Sequence, residues 1–346
     1  MDLRELRFGV EIEMTGLTRQ RAAQVAADFF GSRAEYDGSY YRKYSARDSQ
    51  GRKWTFMSDS SIQQQIRRDG ETVDIRDGDY EVELVTPICR YEDIPVIQQL
   101  VERLRRAGAL SNGSCGIHVH IDAAAFEAKS LRNLVNIIAA KEDLLYKALR
   151  VRVDREYYCQ KMNTDFLQRL NLIRPRTREQ VSQVWYSEQP DERHTVNNHY
   201  HNSRYHALNL HSVFTKGTVE FRLFNSTVER TDQIKAYIQL CLAVSAQALN
   251  QRHASHARTR SANEKYTFRT WLLHLGMIGE EFKEARSCLL EHLDGNIAWR
   301  DPAQAERQKE HLRQQRESAE TAAEPPEQRE ELEAGEESPA FTMTMT

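Results

Sequence analysis

The sequence predicts an α+β domain, in which helices pack on one side of an antiparallel β-sheet. Two features indicate this class. Four short segments alternate apolar and charged residues with the period of two that is typical of a half-buried strand. Longer segments between them repeat apolar residues every three or four positions, as amphipathic helices do. Together they predict a sheet with one apolar face under helices and one charged face left open.

The charged faces of these four predicted strands concentrate acidic and imidazole side chains. The strands span residues 8–14, 80–86, 116–122 and 218–224, and their charged residues are Glu11, Glu13, Glu81, Glu83, His118, His120, Asp122, Glu220 and Arg222. Each strand alone could simply expose its polar face to solvent. If the four are neighbours, so many anions repel one another unless they bind cations or protons. Carboxylates with imidazoles suit Mg²⁺ or Mn²⁺, so the pattern favours a metal-lined trough.

Further helices and short strands fill the rest of the first half. In chain order they are a helix capped by Thr18 and ending near residue 30, strands or a hairpin at 36–44 and 53–57, an irregular connection at 62–78, and amphipathic helices at 92–107 and 129–149. The last helix is the longest, and we expect it to cover the apolar face of the sheet.

A polar turn follows the predicted strand at residues 53–57. Asp59, Ser60 and Ser61 can satisfy the backbone of their own turn, which is a common arrangement. Alternatively, the turn holds the Asp59 carboxylate at the end of a strand, where it can orient a nucleophile. The pattern of residues allows both interpretations.

The second half is harder to interpret. Its predicted elements are one or two helices within residues 150–203, a hairpin of 205–214 with 218–224, a helix at 231–249, and shorter helices at 267–275 and 280–292. Five of the twelve histidines fall between His194 and His211. They suggest either a second metal site or a substrate-facing loop, and their irregular spacing favours the loop.

Composition excludes several classes of protein. A formal net charge of −3 over 346 residues leaves no basic surface for nucleic acid. The first residues form no apolar signal segment, and the longest apolar runs are too short to cross a membrane. The five cysteines are scattered without paired spacing, which is typical of free thiols in a cytoplasmic protein.

The composition changes abruptly near residue 301. Residues 303–316 have a charged helical pattern without an apolar face, and residues 317–339 are rich in Glu, Ala and Pro. Such a segment cannot bury enough apolar surface to offset its ordering entropy. We therefore expect one folded domain over residues 1–300 and a charged, largely disordered tail over residues 301–346.

Four motifs in matching order resemble a known family. FGVEIE at residues 8–13, ELVTP at 83–87, CGIHVHI at 115–121 and VEFRLF at 219–224 are similar to the signature of the putative amidoligase family. That family is related to glutamine synthetase and the glutamate–cysteine ligases. The resemblance implies a glutamine synthetase-like curved antiparallel sheet, with helices packed on its outer face. It also implies that residues 1–300 are the catalytic domain of an ATP- and Mg²⁺-dependent ligase.

The resemblance implies metal ligands on all four strands. Glu11 and Glu13 would contact different ions, with Glu83, His118 and Glu220 as further ligands. Glu81 shares a face with Glu83 but matches the motif less well, so it ranks second.

The resemblance also implies residues that contact substrates. His120 would approach a phosphate, Arg222 the transferred phosphoryl group, and Lys216 and Arg204 the phosphates of the nucleotide. Asp59, in a turn that resembles an Asp-Gly-Ser motif with Ser60 in place of Gly, would receive or orient the amine.

The implied reaction joins a carboxylate to an amine, each a small molecule, a peptide or a protein, through an acyl phosphate. Two alternatives use the same residues. One is a metal-dependent hydrolase or phosphotransferase, and the other is a degenerate ligase fold that acts as a binding module. Cys115 beside the histidine motif could indicate thiol catalysis, but without a partner histidine in suitable order it favours buried packing.

Overall fold

An eight-stranded antiparallel sheet lies at the centre of the protein. The computed structural model describes residues 1–187, 198, 200–298 and 302–323. The strands are β1 (Phe8–Met14), β2 (Glu35–Gly38), β3 (Lys43–Arg47), β4 (Lys53–Met57), β5 (Gln65–Arg68), β6 (Glu71–Asp74), β7 (Val82–Val85), β8 (Gly116–Asp122), β9 (Leu208–Asn209) and β10 (Thr218–Asn225). The large sheet has the order β2-β3-β4-β7-β1-β8-β10-β9, and β5 and β6 form a separate pair.

Helices cover the sheet and connect its strands. They are α1 (Arg19–Phe30), α2 (Ile94–Arg106), α3 (Ala128–Ala148), α4 (Thr164–Ile173), α5 (Arg178–Trp185), α6 (His211–Thr215), α7 (Thr231–Asn250), α8 (Glu264–His274), α9 (Lys283–Leu290) and α10 (Pro302–Ala323). The large antiparallel sheet with packed helices confirms the predicted mixed architecture.

The strand register places charged residues of neighbouring strands opposite one another. Within the sheet, β1 lies between β7 and β8, so that its Glu13 faces Glu83 and its Glu11 faces His118. On the next strand pair, Glu220 of β10 faces His120 of β8. Because side chains alternate along a strand, these residues share one face of the sheet. The predicted neighbourhood of the four strands is confirmed.

The apolar face of the sheet is buried under helices. Val10, Ile12 and Met14 of β1 are at most 1% exposed. Helix α7 packs against β8, and α3 packs beside α7 rather than being the main cover expected from its length. The sequence of α7 is apolar on nearly every side, because the helix lies between the sheet and the helices α2, α3 and α9.

Local signals gave several correct boundaries. The Thr18 side chain accepts a hydrogen bond from the Arg21 amide, which caps α1 as predicted, and Gly31 ends the helix with a φ of 67°. Strands β1, β4 and β8 have the predicted bounds. All five cysteines are free and buried, as their spacing indicated.

Residues 62–78 were wrongly interpreted as an irregular connection. They contain the β5–β6 hairpin, whose turn is formed by Asp69 and Gly70 with φ of 54° and 86°. This type of tight hairpin turn requires a positive φ at two consecutive residues, and it therefore favours an Asp-Gly pair.

The predicted hairpin of residues 205–214 with β10 is only partly correct. Leu208 and Asn209 pair with β10, but the chain then turns into the short helix α6 instead of continuing as a strand. The Asn209 side chain accepts a hydrogen bond from the Ser212 amide at 3.4 Å at the start of that helix. The strand therefore stops after two residues.

Helix α10 begins the predicted tail. Its described side chains, at residues 303, 304 and 306–318, are all exposed, in agreement with a charged helix that has no apolar face. Residues 299–301 and 324–346 lie outside the described part of the chain, and the division into a domain and a disordered tail stays a prediction. Among the helices of the described residues, none is both long and apolar enough to cross a membrane.

Candidate metal centre

Three groups of metal-ligating atoms form a continuous row on the charged face of the sheet, and this row is called the trough below. In each group, one atom from each of three side chains lies within 4.8 Å of the others. The groups are Glu11, His120 and Glu220; Glu11, Glu83 and His118; and Glu13, Asp59 and Glu83. The first two groups share Glu11, and the last two share Glu83. The row therefore runs from β10 across β8, β1 and β7 to the turn after β4.

Glu220 stands at the β10 end of the row. Its Oε1 forms an ion pair with Arg222, and its Oε2 accepts a hydrogen bond of 2.8 Å from the Asn209 side chain. Burial raises the pKa of Glu220, but the charges of Arg222 and His120 outweigh it and bring the pKa to about 2. Glu220 is therefore an oriented anion at neutral pH.

Glu11 connects the first two groups at the centre of the row. Its Oε2 lies 3.2 Å from His118 Nδ1, while its Oε1 lies 3.3 Å from His120 Nε2 and 3.4 Å from Lys216 Nζ. Burial raises the pKa of Glu11, but the charge of His120 and the hydrogen bond with His118 hold it well below its ordinary value. Glu11 is thus also ionised.

The two histidines of β8 differ in electrostatic environment. Burial, aided by the positive charge of Arg222, lowers the pKa of His118 to about 4, so this imidazole is neutral at pH 7 and can donate a lone pair to a metal. For His120, burial lowers the pKa but the charges of Glu11 and Glu220 outweigh it and raise it. The Nδ1 atom of His120 lies 3.0 Å from the Thr218 hydroxyl, which fixes the orientation of the ring.

Negative charge accumulates at the β7 end of the row. Burial, followed by the charge of Asp59, raises the pKa of Glu13 to about 7. Burial, followed by the charges of Glu11 and Glu13, raises the pKa of Glu83 well above its ordinary value. Glu13 accepts a 2.5 Å hydrogen bond from the Gly116 amide. A bound cation would relieve this repulsion.

These residues fit a divalent cation such as Mg²⁺ or Mn²⁺. The donor set combines carboxylate oxygens with an imidazole that is neutral at pH 7, which such hard ions accept. In addition, the buried Nε2 atom of His120 makes no well-aligned hydrogen bond within the described structure. A buried nitrogen in this condition costs free energy unless a ligand or solvent satisfies it.

Most of the predicted site residues meet in this trough. Arg222 and Lys216 reach it through their ion pairs with Glu220 and Glu11. Asp59, predicted to handle the amine, has a carboxylate within the third metal-ligating group. Its Oδ1 accepts hydrogen bonds from the amide and hydroxyl of Ser61, at 2.8 and 2.7 Å, so the turn also satisfies its own backbone.

Arg204 and Glu81 stand apart from the metal-ligating groups. The guanidinium of Arg204 lies over the rings of Tyr200 and Tyr205, with its Cζ 5.0 and 4.9 Å from their centroids. Among the described residues it forms no ion pair with the carboxylates of the trough. Glu81 accepts a hydrogen bond from Ser58 and belongs to none of the three groups.

Three residues that orient the site were not predicted. Asn209 and Thr218 hold Glu220 and His120, and Arg155 is a buried arginine whose charge acts on Glu13. Thr218 has a sequence signal, because it lies two positions before Glu220 and so shares its face of the strand. Asn209 and Arg155 come from segments whose position depends on tertiary structure.

The histidine-rich stretch is held by hydrogen bonds. His201 Nδ1 lies 2.8 Å from the Ser203 hydroxyl, and His211 Nδ1 lies 2.5 Å from the Tyr186 hydroxyl. Within the described ranges, all three metal-ligating groups lie in the trough and none lies here. His194 and His199 are outside the described residues, as are residues 195–197.

Cys115 packs in the interior beside the trough. It is fully buried, and burial raises the pKa of its thiol to about 12. A thiol of this kind is not a nucleophile at neutral pH. The geometry favours the packing role expected from the sequence.

The protein thus has an antiparallel sheet with an acidic site on one of its faces. The sequence identifies the family to which it belongs. The profile of the family described as "Putative amidoligase enzyme" matches residues 4–245, which is most of the chain. The protein belongs to this putative amidoligase family, as its four motifs predicted. No curated protein matches the chain significantly.

The solved structures to which this chain is similar include a bifunctional glutathione synthetase from Pasteurella multocida. The two chains share 12% sequence identity with a TM-score of 0.39, over 84% of this chain and 47% of that one. This chain thus spans about half the length of the glutathione synthetase.

Proposed function

We propose that this protein is an ATP- and Mg²⁺-dependent carboxylate–amine ligase with a glutamine synthetase-like sheet. The reaction forms an amide or isopeptide bond through an acyl phosphate. The proposal is carried by the linked row of carboxylates and imidazoles, in a chain that belongs to the putative amidoligase family. The substrates are a carboxylate and an amine, each a small molecule, a peptide or a protein.

The metal ions are Mg²⁺ or Mn²⁺. The residues that would hold them are Glu11, Glu13, Glu83, His118 and Glu220, and the geometry adds Asp59 and His120 as further candidates. Bound there, such ions neutralise charge on the ATP phosphates, which is the main need of phosphoryl transfer.

The basic side chains around the trough bind the phosphates. A carboxylate is a poor acyl donor until phosphorylation gives it a good leaving group. Arg222, held by Glu220 on one side and by the Tyr158 carbonyl at 3.4 Å on the other, presents a fixed guanidinium to the transferred group. Lys216 and His120 contact the nucleotide phosphates. Arg204, whose guanidinium lies over the rings of Tyr200 and Tyr205, approaches the same phosphates.

The β7 end of the row receives the amine. An incoming ammonium ion must lose a proton before it attacks the acyl phosphate. Asp59, oriented by Ser61 and flanked by Glu13 and Glu83, attracts the ammonium ion and accepts its proton. Asp59 would therefore contact both the amine and the cation bound next to it.

The experiment is a screen for ADP release with pools of carboxylates and amines in the presence of Mg²⁺. ADP release that requires both substrates supports the ligase. ADP release that is indifferent to any amine would indicate the hydrolase, and absence of nucleotide binding would indicate a binding module. Glu11→Gln and Glu220→Gln should each abolish Mg²⁺-dependent ATP binding, whereas Glu35→Gln, on an exposed edge strand of the same sheet, should not.

A further inference from the structure

Arg155 is a buried arginine beside the trough that the proposed mechanism does not use. It ends a single 3₁₀ turn, Val153–Arg155, and is only 4% exposed. Its guanidinium donates hydrogen bonds to two main-chain carbonyls of β10, those of Phe224 and Arg222, the second at 3.5 Å. A buried guanidinium needs such acceptors, because an unpaired one would be costly.

The two carbonyls lie at an irregularity of the sheet. The pairing of β10 with β8 shifts between Phe221 and Phe224, so that β10 contains one extra residue there. A bulge of this kind interrupts the ladder and leaves main-chain groups that need other partners. Arg155 supplies donors at this point, which is also where Arg222 leaves the strand to reach the trough.

The guanidinium of Arg155 is seated directly on Gly116, the first residue of β8. A Cβ atom on Gly116 would lie 2.1 Å from one terminal nitrogen of Arg155 and 2.7 Å from its Cζ. A larger residue would therefore force the guanidinium of Arg155 to move. The amide of Gly116 donates a hydrogen bond to Glu13, so the residue on which Arg155 packs is also bonded to a carboxylate of the trough.

The main chain of Arg155 supports Arg222 from a second direction. The Arg155 carbonyl accepts a hydrogen bond of 2.9 Å from the Tyr158 amide, which closes a turn. The carbonyl of Tyr158 in turn accepts a hydrogen bond from Arg222 Nε at 3.4 Å. The backbone and the side chain of Arg222 are thus both held by groups that depend on Arg155.

We infer that Arg155 is a positioning residue for phosphoryl transfer: seated on Gly116, it fixes the bulge of β10 and so aims Arg222 into the trough. The inference rests on the proposed function for the role of Arg222. The fixing of the bulge is a property of the fold, and it can be tested separately.

The competing explanation is that Arg155 only stabilises the fold. Arg286 provides a matched control, because it too donates to two carbonyls, those of Met277 at 2.7 Å and Gly279 at 3.0 Å, on the far helical side. Gly9 provides a second control for Gly116. A Cβ atom on Gly9 would meet its nearest neighbour, the Thr86 hydroxyl, at 3.8 Å, which is an ordinary contact.

The first measurement is hydrogen exchange of the β10 backbone. Arg155→Met and Gly116→Ala should each raise the exchange rate of amides in residues 218–226 by about tenfold or more. The comparison is with Arg286→Met and Gly9→Ala, and each variant is measured at the same interval below its own melting temperature. Arg155→Lys serves if Arg155→Met does not fold, since it keeps the charge but loses the fork of donors. Unchanged exchange in this peptide overturns the inference.

The second measurement is a double-mutant cycle on the affinity for Mn²⁺·ATP. Arg155→Lys should weaken binding about tenfold in the wild-type background but less than about twofold in the Arg222→Met background, because Arg155 acts through Arg222. Equal effects in both backgrounds overturn the positioning role. If the wild-type protein binds no Mn²⁺·ATP, the proposed function fails, and hydrogen exchange alone decides whether Arg155 fixes the bulge.

Discussion

Glu13 and Glu83 are direct cross-strand partners on β1 and β7, and both side chains are nearly buried. Like charges placed opposite each other in a sheet are destabilising. The raised pKa values of both carboxyl groups express this repulsion. A fold that keeps such a pair sacrifices stability at a place where a cation can restore it.

We therefore expect Glu83→Gln to affect stability and metal binding in opposite directions. At pH 8 with a chelator present, the variant should unfold at a higher temperature, with a gain of about 1–2 kcal/mol, because a strained buried acid is removed. Its affinity for Mn²⁺ should fall at least about tenfold, a cost of about 1.4 kcal/mol. Thermal melts with and without Mn²⁺ test both effects, with Glu35→Gln as the control. A variant that binds Mn²⁺ normally would contradict the metal assignment.

The Thr218 hydroxyl should matter for metal binding rather than for folding. Thr218→Val keeps the shape of the side chain but removes the hydrogen-bond partner of His120 Nδ1. Losing the partner that orients a metal-ligating imidazole costs about 10–100-fold in affinity in other proteins. Mn²⁺ binding measured by electron paramagnetic resonance should show a loss of that size. The same substitution at Thr55 of β4, outside the three groups, should leave the affinity unchanged.

Glu142 of α3 should make stability depend on pH. It is 1% exposed and accepts a 2.6 Å hydrogen bond from the Met162 amide, and burial raises its pKa from 4.5 to about 7. Because the folded state holds the proton more tightly, the stabilising contribution is complete below pH 4.5 and is lost as the pH rises through about 7. The loss is at most about 3 kcal/mol.

Glu142→Gln isolates this effect. Gln keeps an oxygen acceptor for the amide but does not titrate. In urea unfolding, the stability of the variant relative to wild type should therefore increase from pH 5 to pH 8. An exposed control, Glu127→Gln, should show no such trend. A difference for Glu142→Gln that is independent of pH would mean that the carboxyl group is not held protonated by burial.

Removal of residues 302–346 should leave the trough intact. The described side chains of α10 are exposed, so little apolar surface is lost with them. We expect a change in melting temperature below about 2 °C, since such exposed segments add little to stability. Mn²⁺ affinity should also be preserved. A large drop in either quantity would show that the segment packs on the domain.

Much of the central sheet could be predicted because its information is local. Strict alternation in β1 and β8 determined both their bounds and the face on which Glu11 and His118 stand. The Thr18 cap likewise depends on neighbouring residues only. Signals of this range can be read directly from the sequence.

Other features depended on competition between local patterns or on distant contacts. The alternation after Leu208 stops at Leu210, and Val213 and Phe214 then follow at helical spacing, while the Asn209 side chain favours the turn into α6. The Asp69-Gly70 signal of the β5–β6 hairpin is present but lies among charged residues. Arg155 follows no pattern at all, because its partners Gly116 and Phe224 are brought to it only by the complete fold.

The position of β1 between β7 and β8 makes the trough intolerant of insertions and deletions. One residue gained or lost within this strand would exchange its two rows of side chains. Glu11 and Glu13 would then point into the hydrophobic interior, and Val10 and Ile12 would point into water. Such a chain would lose its core together with its acidic row, so selection for a folded protein alone would preserve the spacing on which the cation ligands depend.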